Sequence, residues 1–228
     1  MALARRKPRV RTLTLSATID VVAIDSNYEE VTRQGFDYRE KNVYPYLESK
    51  GFTVVRRQGK MARRVYTTEA CTKPGTDYIT GIGHGLDDAY TGDWGDIIFK
   101  VGSYDAAEVA GKVIHFVSCQ TAAKLGPDFI KKGCLAFFGY DINFSFSKEL
   151  ADLFFECDSE IDRAFADGLS AGDVHDRVMK VFERNITALK ATGKSGDSYW
   201  AAVLATNMDH LRSPSIDTMF GSKSARLG

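Results

Sequence analysis

The 228-residue sequence predicts an α/β protein built on a mostly parallel six-stranded sheet, flanked by helices on both faces. Three observations lead there. Short apolar runs rich in branched and aromatic residues recur near 19–24, 52–55, 77–82, 112–118, 134–138 and 198–205. Between several of them, apolar residues fall three or four apart, which is a helical period. Strands that alternate with helices favour parallel pairing with helices over both sheet faces. The composition is that of a globular chain, with 44% hydrophobic and 26% charged residues. Lys+Arg and Asp+Glu are 30 each, so the formal charge is zero. Disorder is excluded by the apolar content, and a dedicated nucleic-acid binder would carry a basic excess.

Each element has its own signal. Residues 1–17 carry Arg5, Arg6, Lys7, Arg9 and Arg11 with no acid, and are expected to form a flexible basic arm. One domain is expected over 18–211, with a loose polar tail at 212–228. The first strand ends in Asp-Ser-Asn. A helical pattern over 38–49 contains Pro45, which suggests a start or kink, and Gly51 stops it. The third strand runs into Gly83-His84-Gly85, and a hairpin is expected around 96–101. The fourth strand ends at Ser118-Cys119, and a helix is expected over 121–132, closed by Gly133. Helical stripes follow over 147–169 and after Ser170, where Ser-x-x-Asp resembles a capping box. The run at 198–205 has the look of a sixth strand.

The longest apolar runs, 135–140 and 199–205, fall far short of the ~20 residues needed to cross a bilayer. The basic start lacks an apolar h-region, so no secretory signal is expected. Cys71, Cys119, Cys134 and Cys157 form no CxxC pair and are expected as free thiols in a reducing, cytoplasmic compartment. No His or Cys pair has zinc-ligand spacing, GIGHG is an incomplete dinucleotide fingerprint, and no phosphate-binding loop occurs. No metal and no cofactor are expected.

Chemistry is concentrated at two strand ends. In an open parallel sheet, ligand sites lie at the carboxyl ends of strands. If the third and fourth strands are neighbours, His84 and Cys119 share one crevice. A thiol at a helix start would have its thiolate stabilised by the dipole, and an imidazole nearby could take its proton. The backbone N–H groups of Gly85 and Cys119 are the candidate oxyanion donors. The glycines beside His84 would let a substrate backbone approach. His115 lies within a strand and is read as structural. His175 and His210 are read as surface residues, and Cys134 and Cys157 as packing. Asp87, Asp88, Asp93 and Asp96 make the loop after His84 acidic, and nine acids against Arg163 between 149 and 176 are read as an exposed helix face. Asp141, after the fifth strand, is the candidate substrate-binding carboxylate for an Arg or Lys side chain.

The segments TGIGHG, VIHFVSCQTAAKLGPDFIKKGCLAFFGYD and SYWAAVLA resemble the caspase-like cysteine peptidase clan, in the branch of CHAT domains and gingipain- and clostripain-like peptidases. The likeness covers about 77–141 well and 198–205 loosely. It implies a caspase-like fold, His84 and Cys119 as a catalytic dyad, and the GCLAFFGY strand as one side of the specificity pocket. The caspase signature QACxG is absent, and Val117 stands where several relatives have Asp, so specificity for Asp is not implied. The resemblance implies a polypeptide substrate and leaves room for a separate activating or regulatory protein. No nucleic-acid or membrane partner is expected. Two other readings stay open: a non-catalytic interaction module on the same fold, and a hydrolase acting on a small thioester or amide through the same dyad.

Overall fold

A computed structural model describes residues 20–228; the basic arm expected at 1–17 lies outside them. In chain order the strands are β1 (Asp20–Asp25), β2 (Thr53–Gln58), β3 (Thr76–Ile82), β4 (Gly85–Leu86), β5 (Ala89–Thr91), β6 (Ile97–Lys100), β7 (Val113–Val117), β8 (Ala136–Tyr140) and β9 (Leu211–Arg212). The α-helices are α1 (Glu30–Asn42), α2 (Tyr44–Ser49), α3 (Arg64–Thr72), α4 (Leu125–Lys131), α5 (Ala151–Ala166), α6 (Ala171–Ala191) and α7 (Ser195–Asp209). A six-stranded sheet has the order β2-β1-β3-β7-β8-β9, and β4-β5-β6 form a small antiparallel sheet beside it. Every neighbouring pair of the main sheet is parallel except β8 with β9.

Side-chain alternation divides the core between the two sheet faces. On β1, Val21 and Ala23 face one cluster while Val22 and Ile24 face the other. On β7, Val113 and Val117 oppose Ile114 and Phe116 in the same way. The first cluster is closed by side chains of α1, α2, α5, α6 and α7, and the second by α3, α4 and the β5–β6 hairpin. The sheet is therefore covered on both faces, as the sequence predicts. No helix of the described residues is long and apolar enough to cross a membrane.

Several expected elements change. The run at 198–205 lies inside α7 and is not a strand; the sixth strand is the short β9. Ala201, Leu204 and Asn207, spaced three apart, are the buried face of that helix. The helix expected over 121–132 begins only at Leu125. Pro127 explains this, because a ring without an N–H is tolerated only in a helix's first turn. The helical pattern near 38–49 is two helices meeting at Val43, with Pro45 in the first turn of α2.

The segment expected as a loose tail is packed. Phe220 is buried, its ring 6.5 Å from that of Phe137. Gly221 bridges Ala136, and the carbonyls of Lys223 and Ala225 accept from Gly172 and Ala171. The acids of α5 are only in part an exposed face: Asp152 is exposed, whereas Asp158 and Asp162 are fully buried against β7. His115 is buried with them, Nε2 3.3 Å from Asp158 and Nδ1 3.4 Å from Asp162. Arg39, also fully buried, donates to Asp162 at 3.0 Å and to Thr80 at 2.6 Å. Tyr78 and Thr80 donate to Asp162, and Tyr140 to Asp158. Burial alone would lower the His115 pKa, but the two carboxylates outweigh it and raise it to about 9. Arg39 and His115 hold Asp162 well below the usual carboxylate range despite its burial.

Candidate active site

The strand order reverses at β1, which has β2 on one side and β3 on the other. Crevices form beyond the carboxyl ends of strands at such a switch point. Three loops converge at this end: residues 26–29 after β1, 83–84 after β3, and 118–124 after β7. His84 and Cys119 line one narrow crevice of about 40 Å³, whose walls include Val31, Phe144, Phe146 and Phe155. The two sequence-predicted catalytic candidates are thus brought together. His115, on β7 itself, points into the buried cluster under α5.

The loops are held tightly. A Cβ on Gly85 would lie 2.1 Å from the carbonyl oxygen of Cys119, so a side chain there would force the two loops apart. A Cβ on Gly83 would lie 2.3 Å from the carbonyl oxygen of Thr91. The glycines flanking His84 therefore make room for the protein's own backbone, not for a substrate as expected. Thr91 N–H donates to the His84 carbonyl at 2.9 Å. The alternation of an antiparallel ladder then turns the Gly85 amide away from β5. The Cys119 amide donates to no backbone carbonyl among the described residues.

Gln120 follows Cys119 with φ of 59°, a left-handed conformation costing on the order of 1–3 kcal/mol at a residue with a side chain. Its N–H donates to Ile142 at 2.9 Å, and its side-chain amide donates to Asn143 at 3.0 Å. These bonds hold a sharp elbow that turns the chain away just after the thiol. Because α4 starts six residues on from Cys119, the helix-start stabilisation expected for the thiolate is absent. Burial pushes the Cys119 thiol up, and a hydrogen bond from the Phe144 backbone draws it part of the way back. A thiol in this setting needs a base to ionise it.

One residue that sequence reasoning missed stands beside His84. Glu29, the residue before α1, is hydrogen-bonded through its carboxylate to His84 Nε2, and both side chains are half-exposed. Tyr28 meets the His84 ring edge-on at 6.2 Å, and Trp94 stacks on Tyr28 at 5.1 Å. The signal available was positional: the loop after the first strand opens onto the same end of the sheet.

The candidate substrate carboxylate has a different setting. Asp141 accepts from Arg212 Nε at 2.6 Å and from His210 Nδ1 at 2.8 Å, and it is not among the residues lining the crevice. Burial would raise its carboxyl, but these two partners outweigh that and hold it below the usual range. The acidic loop after His84 is likewise paired. Asp87 binds Lys124, Asp93 binds Arg63, and Asp96 accepts from the Arg64 amide. His175, expected at the surface, is buried with Nδ1 2.9 Å from the Ser213 hydroxyl. His210 is half-exposed. Cys71, Cys134 and Cys157 are buried, and burial pushes each of these thiols up to about 12.

No protein-family model and no curated protein matches this chain.

Proposed function

We propose that this chain is a cysteine endopeptidase of the caspase-like kind, with Cys119 as nucleophile and His84 as its acid–base partner. The observation that carries the reading is that both line one crevice beyond the adjacent parallel strands β3 and β7. The sheet also has the layout the resemblance implies, at the level of a mostly parallel six-stranded sheet covered on both faces.

In this reading the Glu29 carboxylate keeps the proton on His84 Nε2 and leaves Nδ1 as the base. Nδ1 takes the Cys119 proton, and the thiolate attacks the peptide carbonyl carbon. The C–S bond forms, and the carbonyl electron pair moves onto oxygen, which the amides of Gly85 and Cys119 receive. The protonated His84 then gives its proton to the leaving amine as the C–N bond breaks. Water, delivering a proton to His84, attacks the thioester and releases the carboxylic acid and the thiol. Four free cysteines fit a reducing, cytoplasmic setting. The raised thiol and the narrow crevice fit a resting state that substrate or a separate activating protein opens. They equally suit the non-catalytic interaction module, which is the competing reading. An unbiased peptide library separates the two: cleavage that Cys119→Ala abolishes supports the peptidase, and no cleavage in any mixture opposes it.

A further inference from the structure

The loop after β8 has two sides. Phe144 and Phe146 line the crevice of His84 and Cys119, while Asn143 and Ser145 face a second, larger cavity of about 430 Å³ against α7. Phe146 lines both, so the two spaces share a wall. A volume of this size lies in the ~300–1,000 Å³ range of ligand sites. The wall opposite the loop comes from α7, through Tyr199, Trp200 and Val203. None of the residues lining this cavity is charged.

The geometry of the loop is fixed from both sides. Asn207, almost fully buried on α7, donates from its amide to the Ser145 carbonyl at 2.7 Å and accepts from the Ser145 N–H at 3.3 Å. At the other end, Asn143 accepts from Gln120 beside the nucleophile. The cavity is thus built onto the same segment whose Phe144 lines the crevice beside Cys119.

We infer that this cavity is the specificity pocket of the proposed peptidase and takes a neutral apolar or aromatic side chain from one of the two substrate residues before the scissile bond. An extended peptide advances ~3.3 Å per residue, and because Phe146 lines both spaces, the cavity lies just across that ring from the crevice that holds Cys119. Phe146, Tyr199, Trp200 and Val203 favour burial of an apolar side chain, and the remaining lining residues, Asn143, Ser145, Thr206 and Asn207, are polar but neutral. A cationic or anionic side chain would lose water there and meet no opposite charge. The paired state of Asp141 removes the carboxylate that sequence reasoning assigned to a basic side chain. The inference rests on the peptidase reading, and its test separates the two.

Peptidyl electrophiles differing only at those two positions, carrying Phe, Leu, Arg or Asp, are reacted with the chain and the rate of Cys119 labelling is measured. Phe or Leu probes should label at least ~10-fold faster than Arg or Asp, the discrimination expected where a charge meets no counter-charge. Val203→Glu should move the ranking towards Arg, and Val203→Gln, similar in bulk but uncharged, should not. An Arg or Asp probe as fast as Phe in the native chain, or an unchanged ranking in Val203→Glu, overturns the pocket. If no probe labels while iodoacetamide still alkylates Cys119, the peptidase reading is what fails. The pocket is then judged by fluorescence, because Trp94→Phe with Cys119→Ala leaves Trp200 as the lone tryptophan of a chain that has two. A response to N-acetylphenylalaninamide but not to N-acetylargininamide supports the pocket, and no response to the former overturns it.

Discussion

Cys119 differs from the other three cysteines in its surroundings, not in its residue type. It is half-buried at a strand end beside an elbow, while the other three are packed into the interior. Its thiol is pushed up by burial, so the proposed chemistry depends on His84 as a base and on Glu29 to hold that base. Partners that orient a catalytic or ligating histidine are typically worth ~10–100-fold. Glu29→Gln should therefore lower kcat by ~10–100-fold with little change in KM, since Glu29 holds the imidazole and does not line the crevice. A KM effect with kcat intact would make Glu29 a substrate contact instead. Asp141→Ala should leave residue preference unchanged and cost about 1 kcal/mol in urea unfolding, because Asp141 partners Arg212 and His210. A library that lost an Arg preference in that variant would reinstate Asp141 as the pocket carboxylate.

At the scale of elements, β7 and α5 are joined by buried charge. His115, on β7, has its pKa raised from 6.5 to about 9 by Asp158 and Asp162 against the opposing effect of burial. A raised pKa means that the folded state holds the proton more tightly than the unfolded chain does. Its stabilisation is full below pH 6.5 and is lost as pH rises through 9, a contribution on the order of 3 kcal/mol. Urea unfolding should show stability declining across that window, and His115→Gln should flatten the decline. Removing one buried partner leaves the others uncompensated, so Asp162→Ala should cost ~3–5 kcal/mol. A loss below 1 kcal/mol would mean that water reaches the cluster.

The strands could be read from composition because each buried run is short, branched and bounded by loop residues. What misled the reading was partnership across long separations. Asp158 and Asp162 read as an exposed helix face because their partners Arg39, His115 and Tyr140 come from α1, β7 and β8. YWAAVLA read as a strand because apolar density hid the three-residue spacing of Ala201, Leu204 and Asn207. His84 and Cys119 could be picked out because each closes an apolar run. Glu29 was missed because its link to His84 requires knowing that β1 and β3 are neighbours.

For the whole molecule, residues beyond β9 are part of the fold. Phe220 fills a site against Phe137, and the following residues hydrogen-bond to the start of α6. Phe220→Ala should cost about 3 kcal/mol, as loss of a buried aromatic does. A cost within error of zero would restore the loose-tail expectation. The same architecture brings the ends of β1, β3 and β7 to one crevice, and the thiol there carries the proposed chemistry. Its most direct test is intact-mass and peptide mapping of the chain treated with a peptidyl electrophile bearing Phe or Leu. A single adduct on Cys119, absent in Cys119→Ala and formed at least ~100-fold more slowly in His84→Ala, is the predicted result. Adducts on Cys71, Cys134 or Cys157 in place of Cys119, or labelling unchanged in His84→Ala, would contradict it.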